Sequence, residues 1–205
     1  MDSIMITPTY KQLYSIAKSK GYAWFTEPYD LNFIGIRSNA KHDDTFNDTI
    51  AIAYKDADGN ERVFCAPFTC DPGKYYLRNP LNASGTAILP EDQYRSLWIL
   101  GKHKGYVALV QRKAIRVLRD NDKNDLLGGT LTAYPELGGF NFHRALENSI
   151  AKTIGKFSAG CQVVQVPEDF NYIISLVKLQ VRYVKSAMIS YTLINEKDID
   201  ANETD

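Results

Sequence analysis

Apolar positions recur at helical spacing near the start of the chain and at strand spacing over most of the rest. Between Thr9 and Lys20, the residues Tyr10, Leu13, Tyr14 and Ala17 form one stripe and Gly21 follows as a stop, which predicts a helix packed as an outer cover. The period then shortens. Leu31–Ile36 and Thr49–Tyr54 read as strands, and Asp56-Ala57-Asp58-Gly59 ahead of Val63-Phe64 reads as a hairpin turn. Tyr75–Leu77 continues the β pattern, Trp98–Gly101 fits either state, and Tyr106–Gln111 and Ala114–Leu118 predict two further strands. Phe140-Asn141-Phe142-His143 alternates as a strand should, and Cys161–Val166 is a β-branched run that begins at the cysteine. Pro167 opens a last helix to about Gln180, with Phe170, Ile173, Ile174, Val177 and Val181 on one side. Met188–Ile194 returns as a final strand, and residues 196–205 predict an acidic, mobile tail.

Many strands between one early and one late helix predict a β-rich α+β domain. No linker or repeat divides residues 1–195, of which 1–30 form an N-terminal helical elaboration. At 205 residues the chain is long enough to bury a core without metal or disulfide staples. Lys plus Arg and Asp plus Glu both number 24, so nothing in the charge balance asks for nucleic acid or an anionic membrane as partner. The first twenty-one residues are interrupted by Pro8 and carry Lys11, Lys18 and Lys20, so a secretory leader is not expected and synthesis in the cytoplasm is. No run approaches the roughly 18 apolar residues of a membrane span.

Three cysteines do not make a disulfide framework, although Cys65 and Cys70 have the option of pairing. With three scattered histidines and no Cys-x-x-Cys, a zinc site is not expected, and His42 among Lys41, Asp43 and Asp44 reads as solvated. Arg119–Asp125 sets carboxylates at alternate positions as calcium loops do, but it lacks the glycine at the sixth place and has Leu131 where the closing glutamate belongs. It reads as a solvated turn, and neither metal nor cofactor is expected.

The candidate chemistry lies between Phe140 and Gln162. A thiol is a useful nucleophile only as thiolate, and imidazole is the side chain best suited to take its proton near neutral pH. His143 and Cys161 are separated by a segment long enough for the chain to leave and return, which points to a catalytic pair. Gly160 removes a side chain where a substrate carbonyl would approach and allows backbone angles that aim N–H groups at an oxyanion. The opposite reading is that Cys161 is a small core hydrophobe and His143 a hydrogen-bonded interior histidine. Cys65 and Cys70 are read as core. His103, in Gly101-Lys102-His103-Lys104-Gly105, is a candidate for lining the cleft and meeting a substrate carboxylate, against the plainer reading of an exposed loop residue.

The order of His143, a spacer, and Ser158-Ala159-Gly160-Cys161 resembles the signature of the L,D-transpeptidase catalytic domain, and Thr69-Cys70-Asp71-Pro72-Gly73-Lys74-Tyr75-Tyr76 is similar to the hairpin that precedes its active site. The resemblance covers roughly residues 46–166. It implies a β-sandwich core with an N-terminal and a C-terminal covering helix, a Cys161 thioester, and peptidoglycan stem peptides as the substrate of a transferase or hydrolase. Gly160 and Ser158 are then the oxyanion and motif positions, and Arg144, Gln162 and His103 the candidate substrate contacts. The chain departs from the family in having Ala159 where a second histidine is usual, and Gln162 and Val163 in place of an arginine. Further stretches, among them Asn32–Ser38 and Asn141–Arg144, resemble uncharacterised proteins of bacteriophages and gut bacteria. That likeness implies a phage or prophage setting with action at the host envelope or in the virion. The rival expectations are a binding or structural protein without turnover and a cysteine hydrolase of another peptide or amide.

Overall fold

The computed structural model describes residues 5–40 and 43–200. Helix α1 (Tyr10–Ser19) starts at Thr9, whose hydroxyl accepts from the Gln12 N–H while its own N–H donates to Gln12 Oε1, so two of the orphan donors of the first turn are satisfied. The strands that follow are β1 (Asn32–Arg37), β2 (Asp48–Lys55) and β3 (Glu61–Thr69). Then come α2 (Lys74–Arg78), β4 (Thr86–Ile88), β5 (Asp92–His103), β6 (Tyr106–Gln111), β7 (Leu118–Asp120), β8 (Thr130–Leu131), β9 (Phe142–Arg144) and β10 (Gln162–Val164). Helix α3 (Pro167–Tyr183), β11 (Met188–Asn195) and α4 (Lys197–Asp200) complete the described chain.

Eight strands close into a barrel in the order β1-β11-β5-β6-β9-β10-β3-β2, and β4-β7-β8 form a separate three-stranded sheet. Pairs β1–β11 and β9–β10 are parallel and the other six barrel joints are antiparallel. An eight-stranded barrel is narrow enough for side chains to fill it. Phe33, Trp98, Phe142 and Tyr191 do so here, with ring centroids of neighbouring pairs 4.7–6.3 Å apart. Gly35 faces this interior because an added Cβ would fall 2.0 Å from the Tyr191 hydroxyl oxygen.

The expected L,D-transpeptidase-like β-sandwich is therefore corrected to a closed barrel within an α+β, β-rich chain. The physical reason is that alternation marks which residues face a core, and it reads alike whether the sheet folds onto a second one or onto itself. Closure depends on β1 pairing with β2 on one side and with β11 on the other, Phe33 lying opposite both Ile52 and Tyr191.

Helix α1 covers the outer face of the barrel, setting Leu13, Ile16 and Ala17 among Ile34, Ile36, Ala51 and Ala53. Helix α3 covers the barrel end where β1 begins and β2 finishes. Gln180 there accepts from the Leu31 N–H, and Phe170, Ile173 and Val177 join the interior cluster. At the other end Arg37 binds Asp71 at 3.1 Å and the Leu89 carbonyl at 2.8 Å, while Asp48 accepts from the Cys70 N–H and thiol.

Two local expectations change. Tyr75–Leu77 belongs to helix α2, since a three-residue apolar run carries no period and Gly73 supplies the N-terminal turn. Of Ala114–Leu118 only Leu118 is in a strand, Ile115 making an isolated bridge to Glu136. The chain just after Asn195 forms α4, and residues 201–205 of the expected tail lie outside the described residues.

Candidate functional site

Strands β9 and β10 lie side by side, with Gln162 opposite Phe142 and Val163 opposite His143. Phe142 and Gln162 face the barrel interior, so Asn141, His143, Cys161 and Val163 fall on the outer side by alternation. The turn into β10 is held by Ser158, whose hydroxyl donates to the Cys161 carbonyl at 2.8 Å and accepts from the Gly160 N–H at 3.2 Å. Gly160 has φ +117°, and a Cβ there would lie 2.8 Å from the Ala87 carbonyl oxygen. Glycine is required because the turn is pressed against β4 in a left-handed conformation. Ser158 and Gly160 thus build the turn. The Gly160 N–H is already committed to Ser158 rather than free for an oxyanion.

His143 is buried, and its Nδ1 lies 2.8 Å from the carbonyl oxygen of Arg144. A carbonyl can only accept, so Nδ1 carries the proton and Nε2 the lone pair. The orienting partner is the Arg144 backbone carbonyl. The ring stacks on His103 with centroids 4.3 Å apart and planes 8° from parallel. His103 Nδ1 in turn accepts from the Asn141 amide at 3.1 Å. Burial lowers the His143 pKa to about 4; the bond to Arg144 opposes the fall, and the charges of His103 and Lys104 add to it.

Cys161 is partly exposed, packs beside Ala151, Ile154 and Val163, and hydrogen-bonds through its thiol to the Gly139 carbonyl at 3.4 Å. Burial pushes its pKa up, with the Asn141 N–H and Lys104 pulling the other way. Among the described residues no hydrogen bond joins Cys161 to His143. A neutral thiol tied to a carbonyl and a neutral imidazole tied to another carbonyl are not an activated pair. The expected cysteine nucleophile is corrected accordingly, for the reason that spacing brings the two strands together without fixing where the polar atoms find partners.

The other sequence-predicted contacts are occupied. Arg144 pairs with Glu147 at 2.7 Å and lies 4.3 Å over the Tyr106 ring. Gln162 is fully buried inside the barrel, accepting from Tyr191 at 2.6 Å and donating to the Cys70 carbonyl at 3.3 Å. His103 does reach the site. His42 lies outside the described residues.

Sequence reasoning passed over Asn141, Lys104 and Arg119. Asn141 could have been placed beside His143, since the two share one parity in the strand. Lys104 and Gly105 form the two-residue turn between His103 and Tyr106, both at positive φ, and Lys104 acts electrostatically on His103, His143 and Cys161. Arg119 is held by Glu136 and donates to the Gly85 carbonyl at 2.9 Å. It borders a cavity of about 330 Å³ whose wall includes Leu81, Gly85, Gly138, Gly139 and Cys161. A larger recess of about 610 Å³ is bordered by Asp48, Pro67 and Lys152 and not by Cys161 itself.

Among the described residues, Asp48, Cys70 and Asp71 alone bring three metal-ligating atoms within 4.8 Å of one another. Arg37 already supplies the positive charge there, and the Cys70 thiol donates to Asp48 at 3.2 Å, so the group is complete as an ion-pair network. No known protein family, curated protein or solved structure matches the chain. The resemblance to L,D-transpeptidases thus gains no support from these comparisons, and the closed barrel stands against it.

Proposed function

We propose that the protein is a non-catalytic binding protein whose ligand is a short peptide of the peptidoglycan stem type, held in the cavity beside Cys161. The observation that carries this reading is the state of the cavity wall. It has room for about one or two peptide residues at about 330 Å³, and at Gly139, where an added Cβ would meet nothing within 4 Å, the wall carries no side chain. The only thiol on it is kept protonated and bonded to Gly139. Leu81 stands on the rim and is largely exposed, an apolar contact for a side chain of the incoming peptide. Such a ligand puts the site of action at the cell envelope.

The test is calorimetric titration of the full chain with purified muropeptides, followed by intact-mass spectrometry of the same mixture. Saturable binding, unchanged muropeptide mass and protection of Cys161 from a thiol alkylator are the expected results. An unliganded Cys161 should react with the alkylator only as pH rises past the unperturbed thiol range of about 8.5. Absence of binding overturns the proposal. So does a covalent acyl adduct on Cys161 or cleavage of the peptide, which would instead establish the cysteine-dependent acyl transfer or hydrolysis that spacing led one to expect.

A further inference from the structure

The same face carries two stacked imidazoles beside a lysine. His143 is buried with Nδ1 bonded to Arg144, and its Nε2 has no hydrogen-bond partner among the described residues. A buried acceptor of that kind calls for a partner from outside the chain. His103 lies flat against the ring and covers one of its faces. Lys104 sits at the tip of the β5–β6 hairpin with φ +48°, a conformation in which asparagine, aspartate or glycine is the usual occupant. It is exposed and forms no ion pair among the described residues.

We propose that His103, Lys104 and His143 form a subsite for a ligand carboxylate, which binds together with one proton taken from solvent onto His143 Nε2. The inference rests on the peptide-binding reading above and deepens it by naming the group of the peptide that is recognised, outside the wall of the cavity and linked to it through Cys161, on which Lys104 acts. The chemistry follows from the tautomer. While Nδ1–H stays on the Arg144 carbonyl, Nε2 meets a carboxylate favourably only by gaining a proton, so that an imidazolium N–H faces the oxygen. Lys104 supplies the second positive charge and draws the anion to the hairpin tip.

Among the described residues no carboxylate hydrogen-bonds to either ring. The charges acting on His143 come from His103 and Lys104. On β9 Arg144 is paired with Glu147, and on β6 Tyr106 donates its hydroxyl to the Arg144 carbonyl at 3.3 Å. Cys161 is neutral on the side of β10, and Lys102 on β5 is exposed. The nearby end of α3 presents Phe170 to Phe142, while Glu168 and Asp169 in its first turn do not figure among the charges felt by the ring. A carboxylate from a ligand would therefore be the first negative charge in contact with both rings. Without it His143 is neutral; with it, the imidazolium is stabilised. Linkage then makes carboxylate affinity rise as pH falls, by up to about tenfold per pH unit between the bound and free pKa values of His143.

The experiment compares N-acetylalanine, which ends in a carboxylate, with N-acetylalaninamide, which does not. Calorimetry on the full chain at about pH 6, in two buffers of different ionisation enthalpy, counts the protons taken up. Nitrogen-resolved NMR of the imidazoles follows His143 directly. The carboxylate is expected to bind with an uptake approaching one proton and to move the His143 titration upward, and the amide to do neither. Lys104→Gln, an exposed turn substitution that leaves the fold intact, should weaken carboxylate binding roughly three- to tenfold and leave the amide unaffected. Equal binding of amide and carboxylate, or carboxylate binding without proton uptake, overturns the subsite even where muropeptides bind and the peptide-binding reading stands. If neither probe nor muropeptide binds, both fail together.

Discussion

A histidine held neutral by burial leaves a mark on the stability of the whole chain. The pKa of His143 in the folded protein is about 4 against 6.5 for the free side chain, so between those values the unfolded chain binds the extra proton and the folded one does not. Its contribution to stability is complete above pH 6.5 and is lost as pH falls toward about 4, a total of about 3 kcal/mol from the size of the shift. His143→Gln, which can keep a donor toward the Arg144 carbonyl, should remove this slope. Urea denaturation followed between about pH 4 and 7 should show the wild-type chain losing stability on the acid side faster than the variant, with the two converging in slope above pH 6.5. Parallel curves would mean that the ring is solvated and ionises freely. The same neutral state is what denies Cys161 an imidazolium partner, so one measurement bears on both stability and chemistry.

The elements around the site are held by short-range devices whose failure is local. Gly160 is the sharpest of them. Gly160→Ala places a side chain at φ +117° and within 2.8 Å of the Ala87 carbonyl, so the turn must move away from β4. A destabilisation of about 1–3 kcal/mol is expected, with loss of muropeptide binding, read from the denaturation midpoint and by calorimetry. Devices of this range are also what a sequence displays openly. Thr9 with Gln12 announces α1, Pro167 announces α3, and the alternation of Phe140 to His143 announces β9, because each signal lies within a few residues of the structure it causes. Tyr75–Leu77 misleads since three residues fit a helical turn as well as a strand. Barrel closure is not legible at all: β1 takes its parallel partner from the far end of the chain, Phe33 beside Tyr191, and neither stretch names the other. The site divides in the same way. Strand parity sets Asn141 and His143 on one face, but the approach of Lys104 depends on how the β5–β6 hairpin pairs with β9, and the partners of the Cys161 thiol depend on the Gly138-Gly139 segment crossing nearby.

Taken as a molecule, the barrel is unevenly sewn. Strands β2 and β3 share a ladder that runs without interruption from Asp48 opposite Phe68 to Lys55 opposite Glu61, whereas β6 and β9 are joined only where Leu109 meets Phe142. Side-chain amides make up part of the deficit at that joint. Gln111 Oε1 accepts from the Phe140 N–H at 2.9 Å, and the Asn141 amide oxygen accepts from the Gln111 N–H at 2.8 Å. A joint held by side chains opens more easily than a ladder of backbone bonds, and segments that bind ligands are drawn from such low-stability regions. Asn141 and His143 lie at this seam, and Gln162, next to Cys161, donates its N–H to the Asn141 carbonyl on the far side of β9, so binding and local opening should be coupled through it. Hydrogen exchange under native conditions should find the amides of Phe142–Arg144 and Gln162–Val164 exchanging ahead of those of Ile50–Ala53, and a bound muropeptide should slow the first group and leave the second unchanged. Exchange in β9 and β10 as slow as in β2 would show that the side-chain amides replace the missing ladder fully, and that the ligand meets a site already rigid before it arrives.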